Sequence, residues 1–246
     1  LPQKRKSQSN NCFKTFVIAL GSGVVEFCHS NNQIRLNLFG FYMSLFLIRH
    51  GETLLNAART VQPAATPLAP RGLAQAELVA ARVVGLKPAA ILSSDMPRAW
   101  QTAEAIARHT GLEPLSTELL RERNFGDLRG RPYDTLSFNP LEMIEAPANG
   151  ESLAEFHERV TEAFEYAARL RVALDGPLIV VCHGLVIHAM LAKCIDVDKQ
   201  AIPARIGNTS ITRVVAQHPF TAELVNCTAH LDGTDLAEDT KSLSGG

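Results

Sequence analysis

The chain has 246 residues, 46% of them hydrophobic and 20% charged, which is enough apolar material for one complete core in a single large domain. A formal net charge of −1 excludes a global attraction to nucleic acid or to an anionic membrane, so any anion binding must come from a local cluster. The five cysteines (Cys12, Cys28, Cys182, Cys194 and Cys227) form no C-x-x-C pair, which argues against a disulfide framework and for a reducing cytoplasm.

In chain order, residues 1–43 read as a non-catalytic amino-terminal extension, disordered or lying before the natural start. The stretch is rich in Asn and Ser, holds a single alanine (Ala19), and precedes Met43 and an alanine-rich remainder. Lys4-Arg5-Lys6 ahead of an apolar stretch invites comparison with a signal peptide, but Gly21-Ser22-Gly23 interrupts the run and no small-residue cleavage site follows. The stretch is also too short to span a bilayer.

From residue 44 to 232 short apolar runs alternate with helical periodicities, the pattern of an α/β fold with a mainly parallel sheet. Leu45 to Ile48 is the first predicted strand. Leu73, Ala76, Ala80 and Val84 mark one face of a helix, and Ala89 to Ser93 is a second strand. Ser94 or Asp95 is placed to cap the next helix, whose first turn tolerates Pro97. A further strand is expected near Leu115 to Leu120. Ser152 with Glu155 makes a capping box ahead of the stripe Phe156, Val160, Ala163, Phe164, Ala167 and Leu170. Asp175-Gly176-Pro177 ends that helix, Leu178 to Val181 is a strand, Gly184 to Cys194 a helix, and Ile211 to Ala216 and Ala222 to Cys227 are late strands. Residues 233–246 form a polar tail expected to fray.

Three strand-to-helix junctions carry nitrogen donors: Arg49-His50-Gly51, Arg98, and His183-Gly184. Ligands of open α/β sheets bind beyond the carboxyl ends of the strands, so these distant residues can converge on one pocket. Two arginines and two histidines there suit a dianionic phosphoryl group, helped by helix N-termini.

Leu47-Ile48-Arg49-His50-Gly51-Glu52-Thr53 with Asn56 resembles the signature of the histidine phosphatase superfamily, which includes cofactor-dependent phosphoglycerate mutases. Ser93 to Ala103, Leu120-Arg121-Glu122-Arg123-Asn124-Phe125-Gly126 and Val181-Cys182-His183-Gly184 follow in the family's order, and Gly150-Glu151-Ser152 with Arg159 fits its pattern before the long helix. The resemblance implies a three-layer α/β/α sandwich of phosphoglycerate mutase type. It also implies a catalytic set of His50 as nucleophile, Glu122 as proton donor and His183. The phosphate would be bound by Arg49, Asn56, Arg98, His183 and the backbone N–H of Gly184, and Gln62 and Thr66 would lie in the loop that reads the substrate.

These residue types suit the chemistry. An imidazole attacks phosphorus only when unprotonated, so His50 needs its other nitrogen tied to a fixed acceptor, and a backbone carbonyl near Gly51 is one. The arginines are permanently charged forks for phosphate oxygens. Partial burial would raise the Glu122 pKa and pocket charge would lower it. No metal or other cofactor is expected: the chain has no H-E-x-x-H and no cysteine ligand set. His109, His157, His188, His218 and His230 sit in no motif, Trp100 reads as packing, and Cys182 as a buried thiol.

The sequence departs from the family in two places. Gln62 to Gly72 has Pro63 and Ala69 where the family carries glycine and a helix-capping threonine, which weakens the case for 3-phosphoglycerate. The Gly130 to Gly150 stretch is short, and less cover favours hydrolysis over mutase chemistry. The expected function is therefore a metal-independent phosphomonoesterase acting on a small phosphorylated metabolite. A mutase-type phosphotransferase stands second and a silent phosphate-binding module third. The expected partner is that substrate, with no nucleic acid and no membrane, and a homo-oligomer is compatible with the sequence.

Overall fold

The computed structural model describes residues 16–20, 23–27, 43–197 and 202–237. The chain divides into two compact units, Leu1–Phe41 and Tyr42–Gly246. In the first, β1 (Phe16–Leu20) pairs antiparallel with β2 (Gly23–Phe27). The rest of the expected extension lies outside the described residues.

The second unit is built on a six-stranded sheet of β3 (Ser44–Arg49), β4 (Ala90–Ser94), β5 (Pro114–Thr117), β6 (Leu178–Cys182), β7 (Ile211–Val215) and β8 (Thr221–Cys227), in the order β5-β4-β6-β3-β7-β8. The first four strands in that order run parallel, β7 pairs antiparallel with β3, and β8 pairs antiparallel with β7. The helices are α1 (Leu54–Ala57), α2 (Pro70–Val84), α3 (Pro97–Thr110), α4 (Leu153–Val172) and α5 (Gly184–Lys193). None of the described helices is long and apolar enough to cross a membrane.

Successive side chains of a strand point to opposite faces, and that alternation builds the three layers. Phe46, Ile48, Ile179 and Val181 join Ala76, Val79, Ala103 and Ile106 of α2 and α3 on one face. Leu45, Leu47, Leu178 and Val180 join Phe156, Val160, Phe164, Val186 and Met190 of α4 and α5 on the other. Because β3 and β6 are covered on both faces they read as unbroken apolar runs. Each such fully buried side chain stabilises the fold by roughly 1.5–3 kcal/mol.

Helix α4 follows the predicted capping box, with Ser152 Oγ accepting from Glu155 N and the Glu155 carboxylate accepting from Ser152 N. Three local expectations are corrected. Helix α2 turns Leu73 and Val84 outward and buries Gly72, Gln75 and Val79 instead, because its first turn presses Gly72 against the backbone of Glu52. Helix α3 is preceded by Met96, not capped by Ser94 or Asp95: Asp95 is bound to Arg121, and Pro97 opens the helix. Residues 118–120 form a 3-10 turn, not the end of β5. In the tail, Arg71 donates to the carbonyls of Asp235 and Ala237 and Gln75 to that of Leu236, so the described part is tied to α2; residues 238–246 lie outside the described residues.

The register brings the three junctions together. Ile48 pairs with Val181 and Val181 with Ser93, so the central strands β3, β6 and β4 end at one level. His50, His183 and the segment leading to Arg98 leave adjacent strands on the same edge, so residues far apart in sequence need no long side chains to meet.

Candidate active site

The Arg49-His50-Gly51-Glu52 loop is held through almost every backbone group. His50 N–H donates to the Cys182 carbonyl at 3.0 Å and Arg49 N–H to that of Ser210 at 3.3 Å. Thr209 N–H reaches the carbonyls of Arg49 and His50 at 3.1 and 3.3 Å, and Asn208 Nδ2 donates to the His50 carbonyl at 2.9 Å. Gly51 N–H donates to Thr102 Oγ1 at 3.1 Å, and Glu52 N–H to Gln75 Oε1 at 2.9 Å. The loop also packs backbone to backbone on α2: a Cβ at Gly51 would lie 2.4 Å from the Gly72 carbonyl oxygen, and one at Gly72 would lie 2.0 Å from that of Glu52. Gly72→Ala, outside the signature motif, is therefore expected to lower stability by about 1–3 kcal/mol and to reduce turnover by shifting the loop; an unchanged melting temperature with full activity would contradict this contact.

His50 is fully buried, and its Nδ1 lies 2.7 Å from the Gly51 carbonyl oxygen. A carbonyl can only accept, so the proton of the neutral ring sits on Nδ1 and the lone pair on Nε2. The His183 ring lies beside it, centroids 5.2 Å apart, with its Nε2 at 2.9 Å from Ser94 Oγ. Burial, reinforced by the charges of Arg98, His50 and Arg49, pushes His183 well below the usual histidine range, so the ring is neutral at pH 7.

Arg98 is buried, with Nη1 donating at 3.4 and 3.5 Å to the carbonyls of Pro63 and Ala64 and Nη2 lying 3.4 Å from Met96 Sδ. Burial lowers its pKa to about 10 against the opposing pull of Glu122, so it stays a cation at neutral pH. Arg49, also buried, donates through Nη1 to the Ile206 carbonyl at 2.6 Å. Its charge is felt by Arg98, His183 and Glu122, so the four groups share one electrostatic neighbourhood.

Glu122 is buried, its Oε1 accepting from Arg123 N–H at 3.0 Å and its Oε2 from Leu185 N–H, in the first turn of α5, at 3.1 Å. Burial pushes the carboxyl pKa up, and this outweighs the downward pull of those two N–H groups and of Arg98 and Arg49. Arg159 fixes the segment that carries it, donating through Nη1 to the carbonyls of Leu119 and Arg121 at 2.9 and 2.8 Å and through Nη2 to Glu151 at 2.6 Å. Glu122 opens onto a cavity of about 700 Å³ whose apolar lining includes Ala64, Ala65, Met96 and Leu119.

Other expected residues serve differently. Asn56 is buried and its Oδ1 caps α1 by accepting from Thr53 N–H at 3.2 Å, so any donation to a ligand comes from Nδ2. Gly184 is buried at the first position of α5, behind His183. Gln62 and Thr66 do not line the cavity. Gln62 Oε1 accepts from Thr53 Oγ1 at 2.7 Å and Thr66 Oγ1 donates to the Pro63 carbonyl at 2.9 Å, so the loop spends its polar side chains on itself and turns Ala64 and Ala65 to the cavity. Thr102, Asn208 and Thr209 were not singled out from sequence. The signal was available for Thr102, one turn after Arg98 on α3, and weaker for the polar run Gly207 to Ser210 ahead of β7. Among the described residues, no group of three or more His, Cys, Asp or Glu is placed to hold a metal ion.

A profile of the histidine phosphatase superfamily (branch 1) matches residues 45–228. A Yersinia pestis protein named "Probable phosphoglycerate mutase GpmB" is 35% identical over 212 residues, covering 80% of this chain and 98% of that protein. Among solved structures, a mycobacterial glucosyl-3-phosphoglycerate phosphatase superposes with a TM-score of 0.63 at 26% identity, covering 76% of this chain and 99% of its own. A phosphoglycerate mutase from Bacillus anthracis superposes with a TM-score of 0.65 at 25% identity, covering 77% and 95%. With nearly the whole length of these relatives matched in sequence and in fold, the chain belongs to the histidine phosphatase superfamily, branch 1.

Proposed function

We propose that this chain is a metal-independent phosphomonoesterase that hydrolyses a small phosphorylated metabolite through a phosphohistidine on His50. The observation that carries the reading is a set of buried side-chain nitrogens left without partners in the neighbourhood of the His50 ring. Arg98 Nε and His183 Nδ1 have no hydrogen-bond partner among the described residues, next to Arg49 and the His50 ring. A buried donor left unpaired costs about 1–3 kcal/mol, and phosphoryl oxygens would satisfy both. For the neutral His183 ring to donate to the phosphoryl group its proton must sit on Nδ1, with the Ser94 hydroxyl donating to Nε2 across the 2.9 Å contact.

In the first step the lone pair on His50 Nε2 attacks phosphorus, the bond to the leaving oxygen breaks, and that oxygen takes the proton of the Glu122 carboxyl. The burial that raises the Glu122 pKa keeps that proton available. Arg49 and Arg98 hold the equatorial oxygens as charge spreads over them, with Asn56 Nδ2 and the Gly184 N–H as further donors. In the second step Glu122, now a carboxylate, takes a proton from water. The water oxygen attacks phosphorus, the P–N bond breaks, and its electron pair returns to Nε2.

The named relatives include both a phosphatase and mutases, so a phosphotransferase is the second reading. Hydrolysis is favoured by the short stretch from Gly130 to Gly150, which offers little to keep water off the phosphoenzyme. A reducing cytoplasm goes with the reading, since Cys182, Cys194 and Cys227 are free thiols. Incubation with an aryl phosphate and a panel of phosphorylated metabolites in ¹⁸O-water, with excess chelator, tests it. Inorganic phosphate carrying one solvent oxygen is expected. Phosphoryl groups appearing only on acceptor hydroxyls would favour the mutase, and loss of turnover with chelator would contradict the metal-independent route.

A further inference from the structure

The cavity beside Glu122 carries several charged groups, and nearly all of them are committed to one another. Asp95 accepts from Arg121 Nε at 2.8 Å and also from Nη2, and Glu118 accepts from Arg121 Nη1 at 2.9 Å. Glu151 is shared by Arg159 Nη2 and by Asn124 N–H at 2.7 Å. Glu122, with its raised pKa, is held between two backbone N–H groups. Among the described residues of the lining, Arg129 is the one charged side chain with no hydrogen bond or ion pair.

Arg129 is not a loosely hung surface residue. Its guanidinium is partly buried, and its charge reaches Arg98 in the phosphate pocket. Its backbone is clamped on both sides. Ahead of it, Gly126 has φ +51 and sits so close to Ala148 that an added Cβ would be 1.9 Å from the Ala148 carbonyl oxygen. Behind it, Gly130 N–H donates to the Val61 carbonyl at 2.7 Å, and Arg131 accepts from Val61 N–H at 3.0 Å. Asp95 and Glu118 share Arg121, and Glu151 pairs with Arg159 while its charge is also felt at Arg129, so the lining sets three carboxylates besides Glu122 against three arginines. Arg129 is the cation among them with no direct partner, and a ligand anion would supply one.

We propose that Arg129 is a specificity residue that binds a second anionic group, carboxylate or phosphate, carried on the leaving-group side of the substrate. The proposal rests on the reading of Arg49, His50 and Arg98 as the phosphoryl site. The cavity then accepts a leaving group with an apolar stretch against Ala64, Ala65 and Met96 and a negative end at Arg129. A charge-assisted bond of this kind corresponds to about a 10-fold or greater gain in affinity.

The test measures equilibrium binding of three non-hydrolysable phosphonates to the wild-type protein and to Arg129→Gln, with Arg129→Lys as the charge-retaining control. The probes are 3-phosphonopropionate, propane-1,3-diphosphonate and propylphosphonate, whose far ends are a carboxylate, a second phosphonate and a methyl group. The wild-type protein is expected to bind at least one of the doubly charged probes about 10-fold more tightly than propylphosphonate. Arg129→Gln should erase that advantage while binding propylphosphonate within about twofold of wild type, and Arg129→Lys should keep part of it. Comparing the two charged probes tells a carboxylate-bearing substrate from a bisphosphate. Equal wild-type binding of all three, or an advantage that persists in Arg129→Gln, overturns the role of Arg129 and leaves the phosphoryl site standing. Failure of all three to bind overturns the phosphoryl site and this proposal with it.

Discussion

His50→Ala is expected to lower phosphate release by about 10⁴-fold or more on every substrate, since it removes the atom to which the phosphoryl group is transferred. The loss should fall on turnover and not on binding. Arg49 is anchored by the Ile206 carbonyl and Arg98 by those of Pro63 and Ala64, and neither anchor involves the His50 side chain. The loop backbone likewise keeps its bonds to Cys182, Ser210, Thr209 and Asn208, all made by main-chain groups of Arg49 and His50. Phosphate should therefore bind the variant with affinity close to wild type, measured by calorimetry beside the steady-state rates. Residual turnover within about 10-fold of wild type would rule out His50 as the nucleophile.

Glu122→Gln is expected to have an effect that depends on the leaving group. For alkyl phosphates, whose alkoxide must be protonated as it departs, kcat should fall about 10²- to 10⁴-fold. An aryl phosphate needs no such help, so its first step should survive while hydrolysis of the phosphoenzyme slows. The signature is a burst of aryl alcohol equal to the enzyme concentration, followed by slow turnover. The pH dependence follows from the direction of the Glu122 shift. The acid must be protonated to act, so wild-type activity on alkyl phosphates is present below its pKa and lost as pH rises through it. Because burial raises that pKa, the loss comes at higher pH than for an ordinary carboxylic acid. The glutamine variant should lack this limb, and an alkyl-phosphate profile identical in both proteins would remove Glu122 from the proton-donor role.

The parts of this site that were legible in the sequence are those written in short contiguous strings. Arg49-His50, Arg98 and His183 follow apolar strand runs, and the rule that ligands bind beyond strand carboxyl ends is enough to gather them. Even the acceptor that fixes the His50 tautomer, the Gly51 carbonyl, could be expected because it is the next residue. What could not be read depends on contacts between distant segments. Asn208 and Thr209 hold the loop from 158 residues away, and nothing local distinguishes them from a turn. The Glu122 shift is a balance between burial and nearby donors, and composition cannot decide it. Gln62 and Thr66 have side chains fit for substrate contact, but the loop turns them toward Thr53 and Pro63. Arg129 stands out only once every other charge around the cavity has been paired.

The central claim is a covalent bond between phosphorus and His50, and the most direct measurement is rapid-quench trapping with a labelled aryl phosphate followed by peptide mapping. The account predicts a label that is stable to alkali and labile to acid, located on His50. It should form and decay no slower than turnover, accumulate in Glu122→Gln, and be absent from His50→Ala. Phosphate release at full rate with no labelled histidine at any quench time, or with the label on another residue, would contradict it.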